Sequence, residues 1–219
     1  MKNLFLFLFI CFALPGLGQD LKKQTKRLSA PYSKEVYEVL KSDNQTKNGT
    51  YLKYFHDGVM AEKGQYEANQ KIGVWEYYTW QGIMDQQYNW TTRKLESTNP
   101  KTGIKNYWVE ENGVFVPKEP DELPVFIGGE GAFQRRIGSS IRYPAEALRS
   151  GKGGEVLISV IITTEGQMVE EKVVQGLGYG LEEEALRVIK IIEGEWVPGN
   201  VKGNPVNTRL LIPVRFGLM

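Results

Sequence analysis

The chain has 219 residues, with 27 Lys and Arg against 26 Asp and Glu, one histidine and one cysteine. A net charge of +1 argues against nucleic acid or a membrane surface as the main partner. One Cys and one His exclude a disulfide framework and a Cys/His zinc site, and leave any His-based triad a single candidate base.

The N-terminus reads as a secretory signal. Lys2 is a short basic start, Leu4 to Leu14 is apolar, and Gly16 and Gly18 put small residues before Gln19. The run is too short for an ordinary span of roughly twenty residues. Cleavage would remove Cys11, the only thiol. Cys11 also invites a lipidated reading, against which stand Ile10 just before it and the very short apolar run that cleavage there would leave. The expected location is the periplasm. The alternative is an inner-membrane anchor formed by a retained N-terminus. Residues 19–46 are a basic lead-in with Lys22, Lys23, Lys26, Arg27 and Lys34. It is read as a solvated segment or a contact for anionic surfaces. Val36, Val39 and Leu40 could begin a strand or a helix.

An internal repeat follows. Lys47-x-Gly49-x-Tyr51-x-x-Tyr54 recurs twenty-four residues later as Lys71-x-Gly73-x-Trp75-x-x-Tyr78. Gly58-x-Met60 recurs as Gly82-x-Met84, and Tyr66 as Trp90. A looser third copy starts at Lys101-x-Gly103 and takes in Tyr107, Trp108, Asn112-Gly113 and Phe115. Each copy predicts a strand pair that cannot bury its face alone. The block, about 47–116, resembles MORN-type hairpin repeats, which serve as interaction surfaces or spacers. Its aromatic stripe (Tyr51, Trp75, Tyr77, Tyr88, Trp90) is either core or a platform for sugar rings.

Residues 117–122, with Pro120 among acids, read as a linker. Val125 to Ile127 predicts a short strand. Ala132 to Ser140 and Pro144 to Arg149 predict short helices, the second opened by Pro144. Arg135, Arg136, Arg142 and Arg149 are either a basic patch or scattered surface charge. Val156, Ile158, Val160 and Ile162 alternate with polar residues, the half-buried strand pattern. Thr164-Glu165-Gly166 turns the chain into a weaker strand, Gln167 to Val174. Leu181 to Glu193 predicts a helix with an apolar face and acids in its first turn, where the macrodipole favours them. The last strand runs from about Val206 to Phe216. Pro213 has no N–H, so this strand is expected at a sheet edge. An open edge can take a partner peptide as a further strand.

Tyr143-Pro144-x-x-Ala147, Gly154-x-Val156-x-Ile158-x-Val160, Glu165-Gly166, the Gly176 to Glu184 loop and helix start, Trp196-x-Pro198, Gly203-x-Pro205-Val206 and Pro213-Val214-x-Phe216 together resemble the C-terminal domain of TonB. Pro124-Val125-Phe126-x-Gly128-Gly129 resembles its lead-in in one branch of that family. The resemblance covers residues 123–216. It implies an α+β fold, here an antiparallel three-stranded sheet with helices on one face, preceded by the all-β hairpin module. It implies a periplasmic domain that grips a peptide of an outer-membrane receptor by strand pairing and so assists transport. Carried over, the peptide-binding residues are Val206, Asn207, Thr208, Arg209, Leu210 and Leu211, with Tyr143 and Pro144 nearby. Tyr143, Trp196 and Pro198 also read as core and turn packing. Such an edge would equally pair with a second copy of the chain.

The chain departs from full-length members of that family. A signal-type N-terminus and a hairpin block stand where an anchor and a Pro-rich spacer would be. The second reading is therefore an envelope scaffold that binds proteins or glycans without energy transfer. No catalytic set emerges: His56 lies in a predicted turn, the glycine runs lack a phosphate-loop context, and the acids are surface runs. No cofactor or metal is expected, and the chain is read as a binding protein rather than an enzyme.

Overall fold

The computed structural model describes residues 20–99, 106–192 and 194–218. The signal segment and the start of the third repeat lie outside them. No helix among the described residues is long and apolar enough to cross a membrane.

The first seven strands form one antiparallel meander: β1 (Leu21–Arg27), β2 (Tyr32–Leu40), β3 (Lys47–Phe55), β4 (Met60–Glu67), β5 (Gln70–Tyr78), β6 (Met84–Asn89) and β7 (Lys94–Thr98). Both repeats are strand pairs, β3–β4 and β5–β6, turning at Gly58 and Gly82, whose positive φ suits glycine. The segment read as a lead-in is two further strands. Val36, Val39 and Leu40, left open between strand and helix, belong to β2, and β1 is so polar that only pairing with β2 makes it a strand.

The inner face of the meander shows why glycine is placed where it is. Tyr51 pairs with Gly64 across β3–β4, and the Trp75 indole lies over Gly64, stacked on Tyr51 at 5.2 Å between ring centroids. A Cβ at Gly64 would strike that indole. The repeat-equivalent lysines cap the rings. Lys47 Nζ lies 4.6 Å from the Tyr37 ring and 5.1 Å from Tyr51, and Lys71 Nζ lies 4.0 Å from Trp75 and 5.0 Å from Trp90. Tyr51, Trp75, Tyr77 and Tyr88 are buried. Of the two readings of this stripe, the structure supports core: the ring faces already carry cations and one another.

The second sheet has five strands in the order β12-β11-β16-β8-β9. Its elements are β8 (Tyr107–Glu111) and β9 (Val114–Pro117), then β10 (Val125–Phe126), α1 (Glu130–Ser140), α2 (Ala145–Arg149), β11 (Gly154–Ile162), β12 (Met168–Gln175), α3 (Leu181–Ile191), β13 (Trp196–Val197), β14 (Gly199–Val201), β15 (Asn204–Val206) and β16 (Thr208–Phe216). Two expectations are corrected here. The sheet is five-stranded rather than three-stranded, and Tyr107 to Pro117 belongs to it rather than to a third repeat. Asn112 and Gly113 both adopt positive φ, the two-residue hairpin geometry their sequence signals. That signal fixes the hairpin but not the sheet it joins. The expected linker is also pinned, since Lys202 N donates to Asp121 Oδ2 and Glu122 bridges to Asn200.

Helices α1 and α3 cover one face of this sheet. Val156, Ile158, Val160 and Ile162 of β11, with Leu210, Ile212, Val214 and Phe216 of β16, pack against Phe133, Ile137, Leu181, Ala185, Val188 and Ile189. Each fully buried aliphatic side chain contributes about 1.5–3 kcal/mol before entropy is counted. Two of the acids at the start of α3, Glu182 and Glu184, are structural. Glu182 accepts from Gly178 N at 2.6 Å, and Glu184 accepts two bonds from Arg187 and one from Arg142 N, which ties α3 to the end of α1. The Arg187 bonds hold the Glu184 carboxyl below its ordinary pKa. Arg135 and Arg136 lie over the Phe55 and Phe126 rings and so also serve packing.

The two sheets are joined by a buried polar contact. Gln86 of β6 donates to Phe126 O at 3.0 Å and accepts from Gly128 N at 2.7 Å, while Asp85 Oδ2 accepts from Gly131 N at 3.2 Å. Burial raises the Asp85 pKa. Ile127 packs among Tyr51, Trp75, Tyr77 and Tyr88. The meander is thus docked on residues 124–129 instead of being strung out before them.

Candidate functional site: the margin of the last strand

Along β16 the even-numbered residues Thr208, Leu210, Ile212, Val214 and Phe216 are buried, and the odd-numbered ones face the other side of the sheet. Its full length pairs with β11, from Ile162↔Thr208 to Gly154↔Phe216. Its other margin is divided. Thr208, Arg209 and Leu210 pair with Val109, Trp108 and Tyr107 of β8. The strand expected at an edge is therefore interior from Thr208 to Leu210, three of the residues expected to dock a peptide.

Backbone parity shows what remains open. Glu110 N donates to Asn207 O at 3.0 Å, and the register sets Arg209 against Trp108. In an antiparallel ladder this turns the backbone groups of the odd-numbered residues toward β8. Leu211, Pro213 and Arg215 continue that series past the last β8 pair. Among the described residues no strand flanks them on this side. Pro213 thus lacks an N–H on a side where no described strand needs one, and the edge expected for this strand fails from Thr208 to Leu210.

The other predicted residues are dispersed. Val206 ends β15 and pairs with Gly199. Asn207 accepts from Thr164 N and donates to Glu110 Oε2, which locks the entry to β16. Arg209 lies over the Phe115 ring at 4.1 Å, tying β9 to β16. Tyr143 stands at the opposite end, its ring edge-on to Phe216 at 5.8 Å and its hydroxyl donating to Lys152 O at 2.7 Å. Pro144 caps α2 beside Gly180. Tyr143 and Trp196 are packing residues here, Trp196 being buried against Phe126 and Phe133. Only Leu211 of the predicted set lies on the open margin. Sequence reasoning missed Pro213 and Arg215, although the proline itself was the signal.

A shallow groove of about 590 Å³ runs between the sheets, with Arg93, Lys190, Glu165, Glu171 and Glu195 of mixed sign along it. Arg93 and Glu195 close part of it with a 2.8 Å ion pair. Among the described residues no three His, Cys, Asp or Glu side chains are placed to hold a metal. His56 is an exposed turn residue whose N–H donates to Pro31 O.

Comparison with known proteins agrees with the C-terminal part of this description. Residues 139–218 match the family described as Gram-negative bacterial TonB protein C-terminal. Domains of this family are non-enzymatic interaction domains of the cell envelope. The solution structure of the Helicobacter pylori TonB C-terminal domain is 28% identical over 39% of this chain and 89% of its own, with a TM-score of 0.30. No curated protein matches the chain. The matched segment begins after most of α1, so the meander, β8–β9 and the lead-in all lie outside it.

Proposed function

We propose that this chain is a periplasmic TonB-like protein whose C-terminal sheet captures an extended peptide of an outer-membrane receptor by strand addition. The addition takes place along Leu211 to Phe216 rather than along Val206 to Leu211. The observation that carries this reading is the margin of β16 past Leu210, which no strand flanks among the described residues, within a segment that matches the TonB C-terminal family. A peptide there would continue the line of β8 and take its register from the Leu211 and Arg215 N–H groups, with carbonyls of Leu211, Pro213 and Arg215 as acceptors.

The test is peptide binding by the full chain, using synthetic N-terminal peptides of outer-membrane receptors. Leu211→Pro removes an N–H that faces the margin and leaves the β11 pairing intact. It should weaken capture by roughly tenfold or more, the scale of one or two lost backbone bonds. Lys190→Glu on the surface of α3 should change nothing. Thr208 and Leu210 are unsuitable test positions, because both are buried and their substitution would report folding. Equal behaviour of the Leu211 and Lys190 variants would remove strand addition from the account.

A second reading has its own support. The meander is docked by Gln86 and the ladder at Thr208 to Leu210 is already filled, features that suit a compact envelope scaffold without energy transfer. The MORN-like likeness of the repeats belongs with that reading. Envelope pull-down with the Leu211→Pro chain separates the two: a scaffold keeps its partners, a peptide-capturing domain loses them.

A further inference from the structure

The free strand margins of the two sheets are guarded in different ways. An unpaired edge recruits other strands unless something blunts it. Strand β12 has two register breaks against β11, with Glu170 at positive φ. Strand β9 is four residues long and ends at Pro117. Strand β7 has five residues and a register break against β6. Past β8, the margin of β16 is interrupted by Pro213. Strand β1 has none of these devices. Its seven residues pair with β2 from Leu21↔Leu40 to Arg27↔Lys34 without a break, whereas every other pairing in the meander contains one.

The open side of β1 follows from its ladder. Lys41 N donates to Asp20 O at 2.9 Å and Leu28 N to Ser33 O at 2.8 Å, so the even-numbered residues bond to β2. The N–H and C=O groups of Leu21, Lys23, Thr25 and Arg27 then point away from the sheet. No strand among the described residues takes them up. What guards this edge is charge. Lys22, Lys23, Lys26 and Arg27 are all exposed. The acids nearby are engaged elsewhere: Glu35 accepts from the Tyr51 hydroxyl, Glu38 from Thr50 N, and Asp20 pairs with Lys41. Lys26 reaches Glu35 only at 3.9 Å. Lys23 and Arg27 are in no ion pair among the described residues.

Charge is a selective guard. Antiparallel pairing with a second copy, centred on Thr25, would set Lys23 against Arg27, and like charges directly opposite destabilise a ladder. An acidic strand meets the reverse. We propose that β1 is a docking edge for an extended acidic peptide, which adds to the meander as a further strand. The cations come as two adjacent pairs, Lys22-Lys23 and Lys26-Arg27, with Gln24-Thr25 between them. Each face of the strand therefore carries two cations about 13 Å apart. The matching peptide has two pairs of acidic residues separated by two uncharged ones. Backbone bonds supply the affinity, and the charge spacing supplies the selectivity. This edge lies in the other sheet from β16, and the proposal does not depend on what that margin binds.

The experiment uses the full chain and a labelled synthetic peptide of threonine and valine that carries two glutamate pairs two residues apart, with binding read by fluorescence anisotropy. The native chain should bind it roughly tenfold or more tighter than the same peptide with lysines in place of the glutamates. Hydrogen exchange should slow at the Lys23, Thr25 and Arg27 amides and not at Arg215. Two further peptides are N-methylated, each on one of the two alternating sets of residues. One set faces β1, and its methylation should cost roughly tenfold or more; methylation of the other set should cost little. These peptides leave the protein unaltered, so the result does not depend on a variant folding. Lys23→Glu with Arg27→Glu should reverse the preference between the glutamate and lysine peptides. Equal binding of both methylated peptides and the parent would mean that the basic strand attracts any polyanion, and overturns the proposal. A preference that survives the charge reversal overturns it, as does protection at Arg215 instead of β1, or no binding at millimolar peptide.

Discussion

Lys71 shows how one residue can carry a measurable signature of the repeat. It has the same place in the second repeat as Lys47 in the first, but its ammonium is held mainly by the Trp75 and Trp90 rings. Burial lowers its pKa to about 8, Glu62 opposes the shift, and Lys53, Arg136 and Lys47 add to it. The unfolded chain keeps its lysine proton to about the ordinary value of 10.5. Between these values the unfolded state binds more protons, so stability rises with pH. The buried tyrosines act in the opposite sense at still higher pH, Tyr66 being pushed up to about 12. Unfolding free energy measured by urea from pH 8 to about 10 should therefore slope upward in the native chain. Lys71→Met should flatten the slope; a slope that survives the substitution would mean that Lys71 is not the group responsible.

Elements differed in how far they could be read from sequence, and the differences have physical causes. The alternation in β11, the amphipathic run of α3 and the twenty-four-residue repeat each carry their structure locally. Strand β1 does not, because a polar edge strand looks like a solvated segment until its partner is known. The β8–β9 hairpin was legible as a hairpin and illegible as a member of the second sheet, since nothing in Asn112-Gly113 selects the neighbour. What selects it is burial: Tyr107 enters the second core, and Val109 is buried opposite Thr208. Tyr107→Ala should cost the full chain about 2–4 kcal/mol in urea unfolding. It should also speed hydrogen exchange at the Arg209 amide, which faces β8. A loss below about 0.5 kcal/mol would show β8 to be a peripheral attachment. The candidate site followed the same logic, for Pro213 signalled a strand margin but could not say that β8 would lie beside β16 or where β8 would stop.

At the scale of the molecule, the Gln86 contact decides whether the chain behaves as one body or two. Its amide satisfies a buried carbonyl and a buried N–H of the lead-in at once. Gln86→Leu keeps much of the side-chain bulk and leaves both groups without partners, a cost of about 2–4 kcal/mol. Calorimetry should show one transition in the native chain and two in the variant. A single unsplit transition would place the coupling elsewhere, in the packing of Ile127. The pairing of β8 with β16 has a separate consequence, for the order of assembly. Neighbouring strands of the meander adjoin in sequence, so that sheet can close as the polypeptide emerges. Tyr107 and Val109 must wait for a segment roughly a hundred residues downstream, and contacts of that separation form slowly. The second sheet cannot be completed before β16 has been made, and until then its apolar strands stand uncovered within reach of chaperones and proteases.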